Sequence, residues 1–121
     1  EGGEGSKFWH ELDIHTKDEI VYKTRFSAFI QGASDLETKL RKRDIDTVVV
    51  VGTNTGVCCE STARDAMMLN FKTIMVSDAN AAYSDEQHNS ALTAFYRNFG
   101  DVMTTEELIG YMLKNARNSS T

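Results

Sequence analysis

The strongest hydrophobic signal in the chain is Val48-Val49-Val50-Val51, a run without alternation that suits a parallel strand covered on both faces. It predicts a strand over Ile45–Gly52. Thr53 to Gly56 supply turn and cap chemistry, and Cys58–Leu69, free of Gly and Pro, predicts the helix that follows. Upstream, Asp18–Lys23 reads as a short strand with a lysine at its carboxyl end, Thr24–Phe29 as irregular chain and Gly32-Ala33 as a turn. Ser34-Asp35-Leu36-Glu37 is a capping box opening a helix that stops near Arg43. Downstream, Phe71–Ser77 predicts a buried strand ended by Asp78-Ala79-Asn80. Ser84-Asp85-Glu86-Gln87 is a second capping box, and Ala91, Leu92, Phe95, Tyr96 and Phe99 keep helical spacing up to Gly100. Asp101–Met103 is a minimal strand, Thr104–Glu107 opens a last helix, and the tail from Asn115 is expected to fray.

The order βαβαβαβα predicts a doubly wound α/β domain, a parallel sheet with helices on both faces. Such folds bind ligands beyond the carboxyl ends of their strands. Lys23, Cys58 and Asp78 all fall at such ends.

Composition narrows the partners. The net charge is −5, and the one basic cluster, Lys39 to Arg43, sits late in a predicted helix, where cations suit the dipole. This argues against nucleic acid or an anionic membrane as partner. The two cysteines, Cys58 and Cys59, are adjacent and cannot form a long-range disulfide framework, which points to free thiols and a cytoplasmic setting. No apolar run reaches the length of a membrane span. At 121 residues the chain is read as one domain, and Glu1 to Ser6 as an exposed segment or a cut end.

Candidate chemistry centres on Cys58, placed where a strand gives way to a helix. Unpaired backbone N–H groups and the positive end of a helix dipole favour thiolate over thiol. A free thiol with pKa near 8.5 is only about 3% ionised at pH 7, and a drop of about two units makes it roughly three quarters ionised. A lysine ammonium about 4 to 6 Å away would assist, and Lys23 is the candidate. Cys58 is then a nucleophile able to attack an acyl carbon, with backbone N–H groups between Thr53 and Cys58 facing the developing oxyanion. For the proton carrier, Asp78 and His88 are both open, against the plain readings of turn residue and half-buried helix residue. The spacing Cys58 to Arg64 also matches the C-x5-R of cysteine phosphatases, but Cys59-Glu60-Ser61-Thr62-Ala63 has no Gly and puts a carboxylate where phosphate would lie. A third reading is a non-catalytic α/β fragment with an inert thiol.

Gly52-Thr53-Asn54-Thr55-Gly56-Val57-Cys58, continued by Ser61-Thr62-Ala63-Arg64-Asp65-Ala66, resembles the nucleophile motif of the isochorismatase-like cysteine hydrolases. Lys23-Thr24-Arg25-Phe26-Ser27-Ala28-Phe29 resembles that family's lysine motif, and Asp78-Ala79 its strand-end Asp-Ala. The resemblance implies an isochorismatase-like fold and an Asp-Lys-Cys triad, with Cys58 as nucleophile and Lys23 as the cation facing it. It implies a cis peptide at Thr53–Asn54, an oxyanion hole from Asn54 and Cys58, and substrate contacts from Thr53, Arg25, Ser27 and Phe29, the last equally suited to the core. Family members with the cysteine cleave amide or ureido C–N bonds, and the lead-in Trp9-His10-Glu11-Leu12 looks most like ureidoacrylate, biuret or N-carbamoylsarcosine hydrolases.

The resemblance implies no organic cofactor. Some relatives hold a divalent metal in an Asp/His cluster, but His10, His15 and His88 lack ligand spacing. The triad aspartate and the family's first two strands have no counterpart here. In the family's sheet order of 3-2-1-4-5-6 those strands lie between the strand of Lys23 and that of Val48 to Val51. The chain, residues 1–121, is therefore expected to be the C-terminal portion of one such domain. An N-terminal fragment of the same protein would complete the sheet and supply the base, and the whole is expected to be a homo-oligomer.

Overall fold

The computed structural model describes residues 7–119, with helices on both faces of a three-stranded, all-parallel sheet. The elements run α1 (Leu36–Lys42), β1 (Thr47–Thr53), a π-helical turn (Thr55–Cys59), α2 (Glu60–Met68), β2 (Lys72–Ala81), α3 (Asp85–Asn98), β3 (Asp101–Met103) and α4 (Thr105–Ser119). Strand order is β1-β2-β3. Consecutive parallel neighbours joined through helices are the α/β arrangement that the alternation of elements predicts.

Val48 and Val50 pack into the main core with Cys59, Ala63, Met75, Leu92 and Phe95, so α2 and α3 share one face of the sheet. Phe95 is wholly buried there, a burial that contributes about 1.5–3 kcal/mol. A smaller cluster of Phe29, Ala66 and Phe71 receives Leu36 and Leu40 of α1. The Arg41 guanidinium lies 3.9 Å over the Phe71 ring and donates to the Leu69 carbonyl, which fastens α1 to the end of α2. Gly100 turns α3 into β3 where any Cβ would collide with the Thr73 carbonyl oxygen. Only glycine fits that approach.

Several expectations need correction. Asp18–Lys23 forms no strand and is nearly all exposed. A strand needs a neighbour for its ladder, and none of the described residues offers one. The box at Ser34–Glu37 is incomplete: Ser34 Oγ accepts from the Leu36 N–H, Asp35 makes no side-chain cap, and Glu37 pairs with Arg41 instead.

The other differences lie further along. β2 does not end at Ser77 but runs to Ala81 across a bulge, since Val50 pairs with Met75 while Gly52 pairs with Asn80. The Asn80 amide bridges that bulge by donating to the Val50 and Val76 carbonyls at 3.0 and 2.7 Å. Helix α4 continues through Asn115 to Ser119, where a frayed tail was expected. Its start is a complete capping box, with Thr104 Oγ1 accepting from the Glu107 N–H and Glu107 Oε1 accepting from the Thr104 N–H. The Gly-rich start and the last two residues lie outside the described residues.

The valine run is covered on one face only. Val49 and Val51 are 37% and 55% exposed, because α4 lies over β2 and β3 and leaves that side of β1 open. A cleft of about 640 Å³ between this face and α4 is lined by Val49, Lys72, Ile74, Leu108, Tyr111 and Met112.

Candidate active site

At the carboxyl end of β1 the chain passes through a cis Thr53–Asn54 peptide into the π-turn, as the motif implies. Asn54 organises this turn. Its Oδ1 accepts from the Gly56 N–H at 3.3 Å, and its carbonyl oxygen accepts from the Val57 and Cys59 N–H groups at 3.1 and 3.2 Å. The i→i+5 closure accommodates an extra residue before α2 begins, and π-turns of this kind recur at functional sites.

Cys58 and Cys59 emerge from the turn into different surroundings. Both are free; Cys58 is half-buried, whereas Cys59 is 4% exposed within the main core. Burial pushes the Cys59 thiol up to about 11, Cys58 adds to the rise, and the Lys23 ammonium opposes it. Cys59 is therefore a protonated core residue at neutral pH. Lys23 lies near enough to this pair for its charge to act on the Cys59 thiol, and its Nζ donates to the Arg25 carbonyl at 2.8 Å.

The remaining motif residues divide. Arg25 is exposed and donates to the Thr24 carbonyl at 2.9 Å, while Ser27 is buried and its Oγ accepts from the Phe29 N–H. Arg25 and Ser27 line a shallow depression beside α2 with Phe26, Ser61 and Met68. Phe29 belongs to the smaller core cluster, with its ring 5.6 Å from that of Phe71. Thr53 is exposed at the strand end.

Neither candidate proton carrier is free. Asp78 accepts from the Thr105 N–H and hydroxyl, both at 2.8 Å, and these bonds hold its carboxyl below the usual aspartate range. It is a cap for α4. His88 places Nδ1 2.7 Å from the Thr55 hydroxyl and Nε2 2.8 Å from the Ser77 carbonyl oxygen, so both ring nitrogens are engaged. That link between a buried Thr55 and His88 joins positions 33 apart and leaves no local trace in the sequence.

The phosphatase spacing fails on geometry. Glu60 to Arg64 are helical rather than a loop, and Arg64 is committed to Glu60 and to the Phe99 ring at 4.5 Å. A metal cluster fares no better among the described residues. No three His, Cys, Asp or Glu side chains converge; His15 bonds Asp13 at 3.1 Å and His10 lies against Trp9. The described residues alone provide no ligand set for a divalent ion. None of the described helices is long and apolar enough to cross a membrane.

Residues 1–107 match the family model of the isochorismatase domain. The chain belongs to the isochorismatase family. A solved isochorismatase-like hydrolase from Alkaliphilus metalliredigens superposes with a TM-score of 0.85 at 38% identity, over 92% of this chain and 59% of that one. The N-carbamoylsarcosine amidase of Thermoplasma acidophilum gives 0.74 at 33% identity, over 85% of this chain and 57% of its own. Among curated relatives, the uncharacterized isochorismatase family protein YwoC of Bacillus subtilis is 36% identical over 90% of this chain. That match spans 60% of YwoC, and this chain covers 48% of nicotinamidase 3 of Arabidopsis thaliana, so it spans only part of the length of the curated relatives it matches.

Proposed function

We propose that this chain carries the nucleophile of a cysteine hydrolase that cleaves a C–N bond in a small amide, ureido or carbamoyl compound. The observation that carries the proposal is the pairing at the end of β1. One thiol is half-buried on the π-turn, its neighbour is sealed in the core, and the Lys23 charge acts on that neighbour. The family's amidase member and the cis peptide at the motif position support the same reading.

In the proposed reaction a base removes the Cys58 thiol proton and the sulfur attacks the substrate carbonyl carbon, moving the π electrons onto oxygen. The tetrahedral intermediate then reforms the carbonyl and expels ammonia or an amine, which takes a proton from the protonated base. Water attacks the resulting thioester and releases the acid and the Cys58 thiol. The Gly56, Val57 and Cys59 N–H groups are directed at Asn54, which supports assigning the oxyanion to the N–H groups of Asn54 and Cys58. Thr53, Arg25 and Ser27 are the proposed substrate contacts; the core position of Phe29 supports only an indirect part for it. The cytoplasm is the proposed setting, in keeping with two unbridged cysteines.

The base and the rest of the sheet are proposed to come from an N-terminal portion of the same protein, seated beside β1, in a homo-oligomer. Three features support a partner there. The β1 edge has no neighbour among the described residues, Val49 and Val51 face outward, and the exposed Met112 and Leu113 of α4 add apolar surface. Central strands do not tolerate bare backbone and apolar faces in water.

The test is ammonia release from a panel of ureido and carbamoyl compounds by the full-length protein, beside p-nitrophenyl phosphate as control. Loss of release in Cys58→Ala but not in Cys59→Ala, with no phosphate release, is the expected pattern. Slow iodoacetamide labelling of Cys58 at pH 6 would favour the inert reading instead.

A further inference from the structure

His88 takes no part in the chemistry proposed above, yet it ties the turn of Cys58 to the rest of the fold. Its Nε2 meets the Ser77 carbonyl of β2 at 2.8 Å, and its Nδ1 meets the Thr55 hydroxyl at 2.7 Å. A carbonyl oxygen only accepts, so Nε2 carries the hydrogen. In the neutral ring Nδ1 is then a bare acceptor, and the Thr55 hydroxyl donates to it.

Thr55 opens the π-turn, is 0% exposed, and has no other side-chain partner among the described residues. Asn54 holds the amides of the turn. The Thr55 side chain is held from α3 and β2 through one imidazole. The π-turn is a single five-residue turn with no long helical ladder of its own to fix it, so contacts from outside it help set its shape.

We propose that His88 is a positioning residue for Cys58, acting through the Thr55 hydroxyl to set where the thiol stands above the strand ends. This rests on Cys58 being the nucleophile. His88 touches no reacting atom, and its effect is read at the sulfur.

The experiment compares His88→Ala, Thr55→Val, Thr55→Ser and the His88→Ala/Thr55→Val pair in the full-length protein. It measures the rate of Cys58 alkylation by iodoacetamide, and kcat and KM on whichever carbamoyl compound the wild type turns over. His88→Ala and Thr55→Val should each slow alkylation and lower kcat about tenfold, the size of effect expected when one buried hydrogen bond is lost. KM should hold within about twofold, Thr55→Ser should restore the wild-type rate, and the pair should lose no more than either single change.

Wild-type alkylation rates in folded His88→Ala, or losses that multiply in the pair, would overturn the proposal. Should His88→Ala not fold, Thr55→Val against Thr55→Ser decides, because only the hydroxyl differs in role. A wild-type thiol that is itself slow overturns the nucleophile assignment and this proposal with it. A fast wild type with unaffected variants overturns this proposal alone.

Discussion

Cys58 and Cys59 share a residue type and a turn, and everything that separates them is environment. One residue of advance around a helical turn points the next side chain in a different direction, here from a half-open position into the core occupied by Met75 and Phe95. Thiol titration should therefore find one fast sulfur in the folded chain and two in denaturant, with Cys59 slower by roughly a hundredfold or more. Cys59→Ser should lower the denaturation free energy by about 1–3 kcal/mol, because a hydroxyl there enters an apolar cluster without a partner. The adjacency of the cysteines and their motif are visible in the sequence. Helical rotation separates the two side chains and the motif resemblance marks Cys58 as the nucleophile, although the α-helix begins at Glu60 instead of Cys58. The bond from His88 to Thr55 is not visible, since it depends on where two elements 33 positions apart are brought together.

At the scale of elements, Asp78 shows how a strand residue becomes a helix cap. Its carboxylate holds the Thr105 N–H and hydroxyl at the start of α4. Because those bonds lower its folded pKa, the stabilisation is fully present above the ordinary aspartate value of 3.8 and disappears as pH falls through the lower folded value. Asp78→Ala should accordingly melt below the wild type at pH 6. The gap between their melting curves, followed by circular dichroism, should close as the pH falls below 3.8 and through the lowered folded value.

Elements set by local chemistry were legible: the Ser84 cap, the spacing of α3, and the strand Asp101–Met103 all stand where the residues place them. Elements set by distant partners were not. Asp18–Lys23 has strand-forming residues but no neighbour to pair with among those described, and β2 outruns Ser77 because Gly52 and Thr53 of β1 offer it a ladder across the bulge.

For the whole molecule, the open side of β1 is the governing feature. Val49, Val51, and the exposed Tyr111, Met112 and Leu113 of α4 leave apolar surface around a strand edge that has no neighbour among the described residues. Taken alone, this chain should associate in a concentration-dependent way, measurable by sedimentation velocity. Val51→Lys should shift it toward monomer, because a charge on an edge strand opposes pairing. The same substitution should weaken capture of a separately produced N-terminal portion if that portion seats on β1. Val48 and Val50, facing the main core, are unsuitable for the same test, since a lysine there would force an unpaired charge into the packing around Phe95.

The unequal burial of the tandem thiols also determines what an oxidant does. Peroxide reaching Cys58 would leave a sulfenic acid whose neighbouring thiol, Cys59, is held protonated in the core and is poorly placed to resolve it. Damage at this position should proceed to the sulfinic state instead of stopping at a bridge, and thiol reductants added afterwards should fail to bring the side chain back.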